Sequence, residues 1–367
     1  LLLRDWVSAQ PNPPDISVLT VDHGLRSGSD AEAKIVADWC RGFGFRHKIL
    51  RWASPKPVTG IQAKARAARY ELMTHWCISQ DVPVLLTAHT ADDQNETVVM
   101  RQKRTESVRS LAGIWPARDW NGVRILRPVL AMKRQDLRDI LKSKRQDWLD
   151  DPSNENHKFE RVRVRHELAG RNEEQGAVAA TAQRQVLEAE DFAQSWVQAH
   201  VAVSELGLVR CDVNKIAALE GLEADAVLVR LLALTGRRNL PEREHRQNLL
   251  AWMSSDELGR RTLGGVVFAK RKAALVMARE AGRIDPAPVV IPPEGEVIWD
   301  GRFRITGPAG AVIQPLGTWG DVPHKEIPQF LRLGLPAAMI DGKLTFVPQL
   351  KPNPLFNYRF INEDVSG

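Results

Sequence analysis

His89-Thr90-Ala91-Asp92-Asp93-Gln94-Asn95-Glu96-Thr97 directly follows the apolar run Val82 to Ala88. The apolar run reads as a buried strand, and the polar run as the opening of a helix. On a helix, positions i, i+4 and i+7 share one face, so His89, Asp93 and Glu96 form a row with Asp92 beside them. An imidazole and three carboxylates then stand where a strand ends and a helix begins, the place where open parallel sheets bind ligands. An acidic first turn that complements the helix dipole would account for Asp92 and Asp93 alone. It does not account for His89 and Glu96 on the same face.

Outward from this stretch, strand-like and helix-like segments alternate. Ile16 to Val21 is a β-rich apolar run, and Ala31 to Gly42 carries helical spacing. Phe45 to Leu50 reads as strand, Ile61 to Ile78 as a long helix, and Ala91 to Lys103 as helix. Val123 to Leu126 reads as a further strand and Lys133 to Ser143 as helix. This order predicts an α/β fold built on a doubly wound parallel sheet. From Glu173 to Met253 strand signals fade, and Gln183 to Val203 and Glu223 to Leu234 read as helices. Thr262 to Phe268, then Ala274 to Met277, read as a hairpin. The proline-rich stretch 284–293 reads as a linker. Beyond it, Val297 to Ile305 and Lys343 to Val347 alternate and carry turn residues. The expected domains are an α/β catalytic domain at 1–171, a helical domain at 172–283 ending in the hairpin, and a β-rich domain at 294–367.

The net charge of +6 and pI of about 9.3 favour an anionic partner such as nucleic acid. No apolar run reaches the roughly 18 residues of a membrane span. Cys40, Cys77 and Cys211 form no Cys-x-x-Cys pair. That argues against zinc and iron–sulfur sites of the usual spacing and fits buried, reduced thiols in the cytoplasm. Leu1 to Trp6 reads as the end of a helix already in progress, so residues preceding Leu1 are expected.

Three further segments carry chemistry. Val21-Asp22-His23-Gly24-Leu25-Arg26 closes the first strand, and Gly24 permits a sharp turn. A plain strand-to-loop turn explains that segment equally well. Gln62 to Tyr70 places Arg66 and Tyr70 four apart among small alanines, which suits a close substrate approach or a solvated basic face. Asp151-Pro152-Ser153-Asn154 is a turn before Phe159 to His166. If that stretch is helical, Arg161 and Arg165 share a face, and guanidinium forks suit phosphate.

Together these pieces resemble one family, the tRNA(Ile)-lysidine synthetases, which are N-type PP-loop ATPases. The matching segments are Val21 to Arg26, Gln62 to Tyr70, His89 to Thr97, Leu111-Ala112-Gly113-Ile114, Arg127-Pro128-Val129-Leu130 and Asp151 to His166. Trp299-Asp300-Gly301-Arg302-Phe303 resembles the family's later region. The His-x-x-Asp-Asp-Gln-x-Glu-Thr string is the most specific piece.

The resemblance implies an ATP- and Mg²⁺-dependent ligase acting in the cytoplasm, with no membrane attachment. ATP would adenylylate O2 of the wobble cytidine in a tRNA(Ile) with a CAU anticodon. The ε-amine of free L-lysine would then attack C2 and displace AMP, changing codon reading from AUG to AUA. It implies that Asp93 and Glu96 bind lysine, with Asp92 supporting them or holding Mg²⁺. His89 would contact the nucleotide or the activated cytidine, and Arg66 and Arg161 would steady phosphates. Val21, Asp22, His23, Arg26 and Arg165 complete the nucleotide-binding set, Asp22 and His23 beside adenine or ribose. The helical and β-rich domains would grip the tRNA through Arg237, Arg238, Arg260, Arg261, Lys270, Arg271 and Lys272.

The chain departs from the family in three places. The Ser-Gly-Gly-x-Asp-Ser loop that cradles pyrophosphate is not among these residues, and we expect it upstream of Leu1. Arg104-Thr105-Glu106-Ser107 replaces a glycine-rich turn, and Val162 stands where the family usually carries Asn. Two other readings stay open. One is a different PP-loop tRNA-modifying adenylating enzyme such as a thiolase, although the cysteines are badly spaced for that chemistry. The other is a non-catalytic tRNA-binding relic.

Overall fold

The computed structural model describes residues 1–25, 28–53, 59–150, 160–168, 172–236, 240–320 and 322–361. Arg26, the turn Asp151-Pro152-Ser153-Asn154, and Arg237 and Arg238 therefore lie outside the described residues. Contacts divide the chain into two compact units, Leu1–Arg184 and Gln185–Gly367.

The first unit runs α1 (Leu2–Ser8), β1 (Ser17–Asp22), α2 (Ser29–Gly42), β2 (Arg46–Arg51), α3 (Ile61–Ser79), β3 (Val84–Leu86) and α4 (Ala91–Gln102). It continues through α5 (Val108–Leu111), β4 (Ala117–Trp120), β5 (Val123–Leu126), α6 (Arg134–Ser143), α7 (Glu160–Glu167) and the start of α8 (Asn172–His200). The unit is an α/β fold. β1 and β2 pair in parallel across α2, from Ser17 opposite Arg46 to Asp22 opposite Arg51. β3 and β5 also pair in parallel, with Val84 opposite Arg124. β4 lies antiparallel to β5 across a two-residue turn. Its Asn121 (φ 51°) and Gly122 (φ 80°) are both left-handed, as the twist of such hairpins demands.

The ladders form two sheets, β1-β2 and β3-β5-β4. One core nevertheless serves strands of both. Tyr70, Met73 and Cys77 of α3 pack with Leu85, Val123 and Ile125, flanked by Leu19, Val21 and Leu50. The expected strand at Val82 to Ala88 is shorter and less buried than its composition suggested. Leu85 is buried, but Val84 and Leu86 are 41% and 42% exposed. The core against α3 covers only the Leu85 face of β3.

After the rest of α8, the second unit contains β6 (Val201–Val203), β7 (Val209–Asp212), α9 (Val213–Ala217), α10 (Gly221–Leu234), α11 (Arg243–Ser254), β8 (Gly259–Leu263), β9 (Val266–Arg271) and β10 (Ala274–Arg279). Then follow β11 (Val289–Val290), β12 (Glu296–Trp299), β13 (Phe303–Thr306), β14 (Val312–Pro315), α12 (Gln329–Arg332), β15 (Pro336–Ile340), β16 (Lys343–Phe346) and β17 (Asn357–Phe360). The expected helix ends at His200, and Val201-Ala202-Val203 turns into sheet. The expected single hairpin is a three-stranded meander, β8-β9-β10, which β7 and β6 extend to five strands.

Two apolar clusters organise this unit. One joins Trp196, Leu231, Met253, Phe268 and Leu275. The other joins Trp299, Phe303, Ile305, Leu335, Phe346 and Phe356. Ile284 and Ile291 of the proline-rich stretch are buried in the second cluster, so that stretch is packed rather than loose. Each such side chain contributes roughly 1.5–3 kcal/mol on burial. Buried Lys270 caps α11, donating to the carbonyls of Met253 (2.8 Å), Trp252 (3.3 Å) and Ser255. A cation there answers the helix's unpaired carbonyls and its dipole.

Candidate active site

The site is built at the start of α4, just after β3. Thr90 is the N-cap, and with Asp93 it forms a capping box. Asp93 Oδ2 accepts from the Thr90 backbone N–H (2.8 Å) and hydroxyl (3.0 Å). His89 therefore precedes the helix, and the expected helical row begins at Asp93. Burial pushes the Asp93 pKa up, but the Thr90 backbone hydrogen bond, Arg161, the Thr90 hydroxyl and Arg134 outweigh it and hold it below the ordinary value. Asp93 is thus a carboxylate at neutral pH.

Its other oxygen faces arginines. Asp93 Oδ1 accepts from Arg161 Nη2 at 2.9 Å and from Arg134 Nη2 at 3.3 Å. One turn on, Glu96 is enclosed, its side chain 2% exposed. Arg161 Nε donates to Glu96 Oε2 (2.5 Å) and Arg165 Nε to Oε1 (2.8 Å). Arg134 lies 3.6 Å from Oε1. Asp92 Oδ2 accepts the backbone N–H of Arg134 at 2.7 Å, at the first residue of α6. Two carboxylates and three guanidiniums therefore interlock, and Asp92 joins them through the Arg134 backbone. The cluster is an ion-pair network with compensated charge, not a bare acidic pocket. Ion pairs at the far end of α4, Lys103 with Glu167 (2.6 Å) and Arg104 with Glu160, hold α7 in register.

Helix α3 brings the remaining residues together. Arg66 Nη2 reaches His89 Nε2 at 3.5 Å and the Tyr70 hydroxyl at 3.4 Å. One turn along, Arg69 donates to His23 Nε2 at 3.2 Å. The α3 face thus joins the loop after β1 to the loop after β3. Arg66 can only donate, so His89 Nε2 accepts and Nδ1 carries the proton, shared with Thr87 Oγ1 at 3.1 Å. Burial, then the charge of Arg66, lowers the His89 pKa to about 4, so the imidazole is neutral at pH 7. Asp22 Oδ1 accepts from the Ser29 hydroxyl (2.7 Å) and the Gly24 N–H (2.9 Å). Those bonds lower its pKa. Val21 sits on β1 and contributes to the core.

Arg134 is the residue that sequence reasoning missed. It stands more than 35 positions from its carboxylates, at the start of a helix that reads as charged surface. Gln94 also has a defined task. Its side chain accepts from the Ile114 N–H (2.6 Å) and donates to the Ile114 carbonyl (3.1 Å). A Cβ at Gly113 would lie 2.4 Å from Gln94 Oε1, and φ there is +67°. Only glycine lets Leu111-Ala112-Gly113-Ile114 dock so closely on α4.

Among the described residues, no group of three or more His, Cys, Asp or Glu side chains is placed to hold a metal. Asp92 offers one carboxylate. That fits Mg²⁺, which is usually held by one or two carboxylates together with substrate phosphates. The three cysteines are free and buried, and burial raises the Cys211 thiol to about 12. No helix among the described residues is long and apolar enough to cross a membrane.

A family model described as the PP-loop domain matches residues 1–172. A tRNA(Ile)-lysidine synthase of Mesorhizobium japonicum is 35% identical over 86% of this chain and 72% of its own length. One of Brucella ovis is 33% identical over 95% of this chain and 82% of its own. One of Rhizobium meliloti is 32% identical over 91% and 75%. Among solved structures, the U34-tRNA thiolase NcsA from Methanococcus maripaludis aligns with TM-score 0.43 and 14% identity, covering 50% of this chain and 66% of that one. No conclusion about chemistry rests on so distant a likeness. The long, high-coverage relatives and the α/β unit with its clustered charges agree, and the chain belongs to the tRNA(Ile)-lysidine synthase family.

Proposed function

We propose that this chain ligates free L-lysine to C2 of the wobble cytidine in a CAU-anticodon tRNA(Ile). Cytidine O2 attacks the α-phosphorus of ATP and pyrophosphate leaves. The neutral ε-amine of lysine then attacks C2, the C2–O2 bond breaks, and AMP departs with the oxygen. The observation that carries this reading is the interlocked cluster of Asp92, Asp93 and Glu96 with Arg134, Arg161 and Arg165 at the end of β3.

An amino acid brings both a cation and a carboxylate. A mixed network can trade an internal ion pair for one with such a zwitterion without stranding a charge. Asp93, the more open of the two paired carboxylates, meets the lysine ammonium. Glu96, with both oxygens engaged, aims Arg161 and Arg165 at anionic groups. Arg66 steadies phosphate, and neutral His89 offers an acceptor beside the reacting cytidine. Asp22 and His23 flank the nucleoside. Mg²⁺, with Asp92 as its carboxylate, would supply charge neutralisation for the phosphates.

The test uses protein expressed from its complete reading frame, with ATP, labelled lysine and the CAU-anticodon tRNA(Ile). Label should pass to the tRNA with AMP and pyrophosphate formed in equal amounts. ATP cleavage with label absent from the tRNA would remove lysine as the nucleophile.

A further inference from the structure

Arg66, at His89, and Arg127 and Arg118 near it have no carboxylate partner among the described residues. Arg66 contacts the Tyr70 hydroxyl and His89. Arg127, 6% exposed, donates from Nη1 to the Trp115 carbonyl at 2.5 Å. Its buried Nε has no acceptor among the described residues. Arg118 on β4 is exposed, its guanidinium 4.3 Å from the centroid of the Trp120 ring. Partial burial, then the charges of Arg127 and Arg66, lower the Arg118 pKa. The charges of Arg127 and Arg66 therefore reach Arg118.

Aromatic rings interleave with them. Trp120 lies 6.1 Å from the Tyr70 ring, and Arg66 sits 5.2 Å over that same Tyr70 ring. The order is Arg118, Trp120, Tyr70, Arg66, His89. Arg161 and Arg165, by contrast, are paired with Glu96. Like charges left together destabilise a fold unless an anion answers them. A simple phosphate site needs no indole beneath its guanidinium. Cations alternating with ring faces suit single-stranded RNA, whose phosphates pair with arginine and whose bases stack on planes.

We propose that the strip from Arg66 out to Arg118 binds the single-stranded nucleotides next to the cytidine that reacts at His89. Arg118 and Trp120 hold the outer nucleotide, its phosphate on the guanidinium and its base on the stacked pair. Tyr70, buried, keeps Trp120 and Arg66 at their spacing. The inference rests on the reading of the chain as a tRNA-modifying enzyme.

The experiment measures binding of a fluorescent anticodon stem-loop to the complete protein across a salt series, alongside the KM for ATP. Arg118→Ala should weaken stem-loop binding about tenfold and reduce the log–log salt slope by about 0.7, the value for one lost single-strand phosphate contact. The KM for ATP should stay within about twofold, since the contact is with RNA. Arg118→Lys should restore the slope but not the full affinity, because an ammonium does not stack. Trp120→Leu should weaken binding several-fold with the slope unchanged. An Arg118→Ala protein with unaltered affinity and slope overturns the strip. So does one whose ATP KM rises while RNA binding holds, which would assign the cations to the nucleotide. If the wild type binds no anticodon stem-loop, the tRNA reading itself falls, a result separable from failure of the variants alone.

Discussion

Two buried arginine–carboxylate sites use the same groups in opposite ways. In the second unit the arginine is sealed. Arg302 is 2% exposed, donates to Asp300 at 2.6 Å and to the Gly334 carbonyl at 3.2 Å, and lies against the Trp299 and Phe303 rings. In the first unit the carboxylate is sealed. Glu96 is 2% exposed, whereas Arg134, Arg161 and Arg165 keep 30%, 35% and 31% of their side-chain surface open. A guanidinium with every face covered can only stabilise its own fold. A buried carboxylate holding half-open guanidiniums presents aimed donors to whatever approaches. On the proposed reading, the inward arginine is structural and the outward ones are functional.

The largest effect expected from this contrast is on stability. Arg302→Met leaves Asp300 in a buried setting with Arg279 as its remaining cation, at 3.6 Å, among the described residues. Breaking such a pair by removing one partner costs about 3 kcal/mol or more. Urea unfolding should show that loss, and activity should fall only as the folded fraction falls. A loss below about 1 kcal/mol would erase the structural half of the contrast.

Glu96→Gln should separate the two properties. The amide keeps the shape but removes the charge that aims two arginines, and those arginines are partly solvated. The stability cost should then be about 1–2 kcal/mol. Misaimed donors can cost about 100-fold in rate, so kcat/KM for lysine should drop far more than the unfolding midpoint moves. Measured together, a rate loss no larger than the loss of folded protein would place Glu96 with Arg302 on the structural side.

What could be read from the chain follows the same division. The alternating segments of the first unit were legible because each carries a single period of burial. Val123–Leu126 and the helix opening at Ala91 stand where the pattern put them. β4 was missed although Asn121-Gly122 marks its turn, because Ala117-Arg118-Asp119-Trp120 has no apolar alternation. β6 was missed because three apolar residues directly after a helix read as more helix. In the site, the carboxylates and Arg161 and Arg165 announced themselves by spacing. Their mutual neutralisation did not. Arg134 joins them only through the packing of α6 beside α4, which no local pattern encodes. Likewise, the capping role of Asp93 hides a chemical one, since one oxygen serves Thr90 and the other serves the arginines.

The last expected effect is a pH dependence that should mark the first unit. His89 has a folded pKa of about 4 against 6.5 for an exposed imidazole. Above pH 6.5 neither state holds the extra proton, and His89 adds no pH dependence. Between 6.5 and 4 the unfolded chain binds it and the native chain does not, so stability falls as the solution is acidified. Asp93, held low, keeps its contribution through this window and loses it only as pH falls through its own folded pKa. Arg302, lowered by burial to about 10, stays charged throughout and gives the second unit no matching slope. Hydrogen exchange should therefore show peptides spanning β3 and α4 losing protection between pH 6.5 and 4, while those spanning β12 and β13 hold theirs. His89→Gln should flatten the first trend, because an amide has nothing to titrate. Equal slopes in both regions, or a slope that survives His89→Gln, would mean that another group drives the acid response and that the neutral imidazole is not what distinguishes this site.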